Sequence, residues 1–472
     1  MSASHLISSS AVAVVDLLKR GEITPHDCLD ALEARIAEVD SAVNALPILC
    51  FDRARAHADA LMKRPGAERG LLAGLPVPIK DLSWVKGVLS TSGSPIFAGF
   101  KPESSDIVVE KIEAEGGVVY AKSNTPEFGA GGNTFNPLFG ATLNPWDTTR
   151  TSAGSSGGAA AALASGQAWV AHGSDMGGSL RNPASFCGIV GMRPTAGRVA
   201  SNNRAIVDQT LGVQGPMARN VEDLALLFDA MSGEDRRDLL SKPRPAQSFL
   251  AAARSGWLPK KVAYSENLGI TPVDPEVAAL TRKAAHRFAE AGVIVEEATP
   301  DLSGAHECFR VLRARNFATA LGPLLQAHPD KFKPDLVWNI RQGFELTADE
   351  IARAERHRAQ LVQRMDSFLR GYDLLLCPAT IVAAFPVEQI YLERCAGYEF
   401  PNYVEWLSIA YGPTLASVPA LSLPCGFTRE TLPVGLQIVG PTNADGAVIA
   451  GAKALEAILA LDTTRPVDPR RP

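Results

Sequence analysis

The sequence predicts an α/β protein with a large mixed central β-sheet covered by α-helices on both faces. Three observations predict it. Short apolar runs of strand character alternate with segments of helical periodicity, which is how a largely parallel or mixed sheet covered by helices reads in sequence. The 472 residues give ample length for a deep core, and 46% hydrophobic with 21% charged residues is a globular rather than a disordered composition. No internal repeat or low-complexity linker divides the chain, so residues 1–472 read as one domain.

The elements follow in order. Residues 1–70 form an N-terminal helical segment, with a helix near 11–19 and a second that opens at Thr24-Pro25 and runs to about Val39. Thr24 has the side-chain oxygen of an N-cap, and Pro25 suits the first helical position. Strand-like runs follow at Val77–Lys80 and Val118–Lys122, with a helical pattern between them at Asp106–Ala114. Further strands are expected at Trp169–Gly173, Val262–Ser265, Val293–Glu297, Leu374–Cys377, Ser422–Cys425 and Gly435–Val439. Helical patterns lie at Val221–Met231, Pro275–Ala291, Ala348–Leu369 and Gly446–Leu459. The stretch Asn144–Arg150 reads as loop, and the Pro- and Arg-rich tail, residues 463–472, as frayed.

Composition excludes several functions. With 46 Lys+Arg against 51 Asp+Glu and no block of like charges, nothing marks a partner of nucleic acid or of an anionic membrane. The seven cysteines (28, 50, 187, 308, 377, 395, 425) form no C-x-x-C pair, which argues against a zinc site and a disulfide framework. Thiols left idle in a reducing cytoplasm are expected. The N-terminus lacks a basic region, and Asp16 interrupts its apolar stretch from Ala11 to Leu18, so no signal peptide is read. Residues 151–174 carry no charge, but they are mostly Ser, Gly and Ala and therefore a close-packing segment rather than a membrane span.

The chemistry concentrates where the glycines do. Residues 129–191 hold 13 of the 40 glycines, including Thr151-Ser152-Ala153-Gly154-Ser155-Ser156-Gly157-Gly158 and Gly173-Ser174-Asp175-Met176-Gly177-Gly178-Ser179-Leu180-Arg181. Glycine permits positive φ and close approach, and successive N–H groups in such turns can surround an anion. A serine directly after Met-Gly-Gly could thus have its own N–H and those before it around a developing oxyanion. Taken alone, the same loops could be packing features without chemistry.

Three catalytic readings compete. Gly154-Ser155-Ser156-Gly157-Gly158 fits G-x-S-x-G, which would make Ser156 a nucleophile on an elbow; that motif needs a strand before it and an Asp and His after it. The segment before it reads as loop, and His286, His306, His328 and His357 lie in helical or polar surroundings suited to solvated faces. Ser83-Trp84-Val85-Lys86 fits S-x-x-K without its companion motifs, and no Walker loop occurs. The third reading uses serines with Lys80, which ends the uncharged run Gly74-Leu75-Pro76-Val77-Pro78-Ile79. Such a lysine would be drawn inward and its pKa lowered, as a neutral base requires. Standing alone, it could equally snorkel to solvent.

Lys80 does not stand alone. The chain resembles the amidase signature family over nearly its whole length. The resemblance rests on Gly74–Asp81, Ala121-Lys122-Ser123-Asn124-Thr125-Pro126-Glu127-Phe128, Asn144-Pro145-Trp146-Asp147 and the two serine loops. It continues through Pro183–Gly191 and Leu432-Pro433-Val434-Gly435-Leu436-Gln437-Ile438-Val439-Gly440-Pro441. It implies the amidase signature fold, with a catalytic core at 74–200, and a Ser–cis-Ser–Lys triad. Ser179 matches the nucleophile, Ser155 the bridging serine that follows a cis peptide bond, and Lys80 the terminal base. The oxyanion hole maps to the backbone N–H groups of Met176, Gly177, Gly178 and Ser179. Asp175, Arg181 and Ser156 match residues that fix these loops.

Departures from the family pattern are Ala153 for the first Gly of Gly-Gly-Ser-Ser-Gly-Gly, and Lys80-Asp81-Leu82-Ser83 for Lys-Asp-Asn. Neither touches a proton-transfer atom. Asp208-Gln209-Thr210-Leu211-Gly212-Val213 stands where the glutaminase-type subunit of the glutamyl-tRNA amidotransferase has a Ser-Leu-Asp-Gln run, which favours a stand-alone amidase over such a subunit. A non-catalytic scaffold protein would lack a triad residue, and all three are present. We expect a small-molecule amide substrate, no metal and no cofactor, and leave a homodimer open.

The substrate is read from residues 380–412 as a channel segment. Tyr391, Tyr398, Phe400, Tyr403, Trp406 and Tyr411 place six aromatics within 391–411, which suits an aryl or medium-sized apolar amide or, equally, a core or interface helix. In the family the corresponding segment often lines the substrate channel. Tyr398, Tyr403 and Trp406 are the expected walls, with Gly129 and Gly131 leaving room for the leaving group.

Overall fold

Eleven strands in two sheets carry the architecture of the computed structural model, which describes residues 2–202, 204–461 and 465–471. Numbered along the chain, they are β1 (Ile48–Leu49), β2 (Pro76–Lys80), β3 (Val118–Ser123), β4 (Val170–Asp175), β5 (Val190–Arg193) and β6 (Val213–Ala218). They continue with β7 (Lys261–Tyr264), β8 (Ile294–Glu297), β9 (Leu374–Pro378), β10 (Ala420–Phe427) and β11 (Pro433–Val439). The first three form a small sheet in the order β1-β3-β2, and the others a large one in the order β8-β7-β9-β11-β10-β5-β6-β4. Within the large sheet β7 runs parallel to β8 and β9, and every other pairing is antiparallel. The fold is thus mixed α/β, with fifteen α-helices among the described residues.

The strands that position the site are buried along their whole length or nearly so. All five residues of β2 are inaccessible, as expected of an uncharged run ending in a lysine. Pro78 has no N–H to give, and the β2/β3 register shifts across it, between Val77 and Ile79. The two sheets are tied where β2 meets β4: the Lys80 N–H donates to Nδ1 of His172 at 3.3 Å. β4 then pairs along its length with β6, from Val170 opposite Ala218 to Asp175 opposite Val213.

The uncharged stretch 151–174 folds as a loop, a buried helix Gly157–Ala164 and most of β4. A Cβ on Gly158 would lie 2.3 Å from the Asn124 nitrogen, so only glycine lets this helix meet the backbone after β3. Among the described residues no helix is long and apolar enough to cross a membrane.

Most expected elements appear within a few residues of their bounds. Thr24 and Asp27 form a reciprocal capping box, and the helix runs from Pro25 to Val43, past the expected end at Val39. The pattern at 275–291 divides into a helix, Pro275–His286, and a tighter turn over 287–291. Several elements were not expected, among them β5 and the helices Arg181–Cys187, Phe249–Ala253 and Ser408–Leu415. The helix Ala305–Ala327 carries apolar residues on several faces and a proline near its end, which hides its period. A second helix, Pro334–Glu345, packs beside it. Gly215-Pro216 disguises β6. Asp147–Thr151, read as loop, is a polar strand paired with Leu143–Asn144. The tail expected to fray is tied down over 465–471: the Val467 N–H donates to Ala164 O at 2.8 Å and the Arg470 N–H to Pro145 O at 3.0 Å. Residues 463, 464 and 472 of that expectation lie outside the described residues.

Candidate active site

Lys80 ends β2 with no exposed surface. Its Nζ lies 2.7 Å from Ser155 Oγ, 2.9 Å from Ser156 Oγ, 3.1 Å from Ser174 Oγ and 3.5 Å from Ser174 O. No carboxylate is among these partners. Burial therefore pushes the ammonium down to about 7, although the charge of Asp175 pulls the other way. Sequence reasoning named Ser155 and Ser156 but missed Ser174, whose signal was its place beside Asp175 at the end of β4.

Ser155 follows a cis peptide bond from Gly154. Ser156 holds its loop from two sides: its Oγ accepts from Lys80 and donates to Ser174 O at 3.3 Å, while its N–H donates to Ser179 O at 3.2 Å. The two serine loops are thus joined through main chain as well as side chain.

Ser179 stands just before the helix Arg181–Cys187, half-buried, in a loop organised by Asp175. The Asp175 carboxylate accepts the N–H of Gly178 and of Leu180, both at 3.1 Å, and a two-pronged contact from Arg181 at 2.8 and 3.0 Å. Arg193 lies 3.5 Å away. Burial alone would raise this carboxyl; the Arg181 guanidinium, its hydrogen bonds and Arg193 outweigh that and hold it well below the usual carboxylate range. Arg181 in turn donates to Ala410 O, Gln437 Oε1 and Thr414 Oγ1, which anchors the loop to β11 and to the helix Ser408–Leu415.

One expected oxyanion donor is corrected here. The Gly178 N–H is engaged by Asp175 Oδ1, and Gly178 does not line the cavity, whereas Met176, Gly177 and Ser179 do.

The one nearby histidine is structural. His172 is fully buried, with Nδ1 accepting from the Lys80 N–H and Nε2 2.8 Å from Gln214 Oε1. Burial pushes it down to about 3 against the Gln214 contact, so it stays neutral and positions the backbone of Lys80.

Ser155 and Ser179 open into a cavity of about 290 Å³. Gly129 and Gly131 line it; Tyr398, Tyr403 and Trp406 do not. Tyr398 is 45% exposed and donates to Glu405, Tyr403 is buried against Arg313 and Trp338, and Trp406 is buried. A Cβ on Gly132 would lie 2.2 Å from the Trp406 ring, so the indole fills that space rather than walling the cavity. Of residues 391–411 only Leu407 lines the cavity. The wall comes instead from one face of the helix Ala305–Ala327: Phe309, Arg313, Asn316, Phe317, Ala320 and Leu321. These recur at helical spacing, a signal the sequence did contain.

Residues 27–449 match the Amidase family. An acylamidase of Rhodococcus erythropolis is 33% identical over 478 residues, covering 99% of each chain. A glutamyl-tRNA(Gln) amidotransferase chain of Halothermothrix orenii is 31% identical, over 96% of this chain and 97% of its own. The structure of a bacterial aryl acylamidase of the amidase signature family superimposes with a TM-score of 0.91, at 28% identity and 97% coverage of both chains. With its whole length matched and its lysine and serines drawn together, the chain belongs to the amidase signature family and is a hydrolase acting on amide C–N bonds.

Proposed function

We propose that this amidase cleaves its substrate through an acyl-enzyme on Ser179, with Ser155 and Lys80 as the proton relay. The observation that carries this reading is the hydrogen bonding of Lys80. A neutral amine has two N–H donors and one lone pair. The Ser156 hydroxyl proton goes to Ser174 O, so Ser156 Oγ accepts one Lys80 N–H, and Ser174 accepts the other. The lone pair is left for the hydroxyl proton of Ser155, 2.7 Å away.

As Ser179 Oγ attacks the amide carbonyl carbon, its proton passes to Ser155 Oγ, and the Ser155 proton passes to Lys80. The carbonyl oxygen, now negative, is met by the N–H groups of Met176, Gly177 and Ser179, each such donor being worth about 10²–10³ in rate. The proton returns through Ser155 to the leaving nitrogen as the C–N bond breaks. Water then attacks the ester by the same relay, releasing the acid and restoring Ser179.

Because Lys80 must begin neutral, activity rises with pH as its ammonium loses a proton. A pH profile of kcat/KM is expected to climb through an inflection near the value of about 7 set by burial. A profile flat from acid to neutral pH would contradict the base assignment.

The substrate reading is an aryl or medium-sized apolar amide. Phe128, Phe309, Phe317, Leu82, Leu321 and Leu407 supply apolar surface around the two serines. Amidotransferase chains are nearly as similar as the acylamidase, so a panel should include free glutamine. Anilides and medium-chain amides are expected to be cleaved with glutamine inert; turnover of glutamine alone would overturn this.

A further inference from the structure

The wall of the cavity holds one charged group that the relay does not use. Arg313 is 6% exposed and borders both the serine cavity and a second cavity of about 230 Å³. Its guanidinium donates to Asn339 Oδ1 and to the Tyr403 hydroxyl, and it lies over the faces of Phe317 and Tyr403, 4.1 and 5.4 Å from the ring centroids. All these partners are neutral. Only two of five N–H donors are used.

Several other buried arginines have an acidic partner. Arg181 and Arg193 share Asp175, Arg198 faces Asp445, and Arg204 faces Asp238. Of the charged residues lining the serine cavity, Asp175 and Arg204 are thus held in ion pairs. Arg313 alone among those described has no acidic partner. A second cation, Lys333, stands behind Gly131 of the cavity wall, but it has Asp335 and Glu127 beside it and its Nζ donates to Ala130 O, which leaves Arg313 as the unmatched charge. Burying a guanidinium without a counter-charge is costly, and a bound anion would supply what the protein does not. The planar fork of Arg matches a carboxylate with two parallel hydrogen bonds.

We propose that Arg313 is the specificity-determining residue of the cavity, selecting amides with an apolar body and a carboxylate remote from the scissile bond. This rests on the amidase reading above and narrows it. The apolar body lies against Phe309, Phe317 and Leu321, and the carboxylate meets Arg313, with Asn316 one turn further along the same helix as an additional donor.

The test uses two matched pairs of anilides. One places the carboxylate on the amine side, para-acetamidobenzoate against para-methylacetanilide. The other places it on the acyl side, succinic monoanilide against valeranilide. Wild-type enzyme is expected to favour the carboxylate in one pair by about tenfold or more in kcat/KM, chiefly through KM. Arg313→Met should lower kcat/KM for that carboxylate substrate by about 30-fold or more, and Arg313→Lys by less. With either variant the loss on the uncharged partner should be smaller than the loss on the carboxylate substrate by about tenfold, and circular dichroism with a denaturation curve shows that the protein has folded. Equal treatment of both members in both pairs by wild-type enzyme would overturn the proposal, whatever the variants do. So would an equal loss on charged and uncharged substrates in Arg313→Lys. Failure to cleave any of the four by an enzyme that still accepts a fluorophosphonate at Ser179 refutes the carboxylate selection. Failure to accept the fluorophosphonate refutes the amidase mechanism beneath it.

Discussion

Lys80→Met lowers amide turnover by about 10³-fold or more, and the inflection near neutral pH disappears with it. Methionine keeps the length of the side chain and its apolar stem but has no lone pair of comparable basicity for Ser155. Since Lys80 is fully buried and without an acidic hydrogen-bond partner, the variant loses hydrogen bonds to three serines rather than an ion pair. Those hydroxyls have one another and Ser174 O to turn to, so a stability loss of about 1–3 kcal/mol is expected, within the reach of a well-packed core. Circular dichroism and a denaturation curve separate the two effects. A variant that folds and retains near-normal turnover would contradict the role given to Lys80.

Asp175→Asn is expected to do broader damage. The carboxylate neutralises Arg181 and Arg193 and orders the N–H groups of Gly178 and Leu180 on either side of Ser179. An amide presents one acceptor where two are needed and leaves two buried guanidinium groups without their counter-charge. Breaking such an arrangement costs about 3–5 kcal/mol. A thermal midpoint lowered by several degrees and a fall in kcat should appear together, because the loop that fails to order is the one that carries Ser179. A variant of unchanged stability would show that Arg181 is held sufficiently by Gln437, Ala410 and Thr414.

How far the sequence revealed this site depends on the kind of residue. Lys80, Ser155 and Ser179 were singled out by the family resemblance, which rests on glycine-rich loops and an uncharged strand ending in lysine; these are local patterns, and local patterns survive in one dimension. Asp175 and Arg181 were matched by the same resemblance to residues that fix the loop; that they pair with each other is seen in the structure. Gly178 illustrates the limit: its N–H was expected to face the oxyanion, but which way an amide points depends on the carboxylate that takes it, three residues earlier. The aromatic run at 391–411 misled because composition shows that large rings must be enclosed, not by what. Trp406 is enclosed by Gly132, 274 residues away in sequence. The cavity wall was missed with the helix Ala305–Ala327, whose apolar residues serve a core on one side and the cavity on another and so do not fall on a single stripe.

The measurement that bears most directly on the mechanism is labelling with a serine-directed fluorophosphonate, followed by mass mapping of the modified peptide. Modification at Ser179, suppressed in Lys80→Met and Ser155→Ala, is the expected result. Modification at Ser155, Ser156 or Ser174 with Ser179 untouched would contradict the assignment of nucleophile and relay alike.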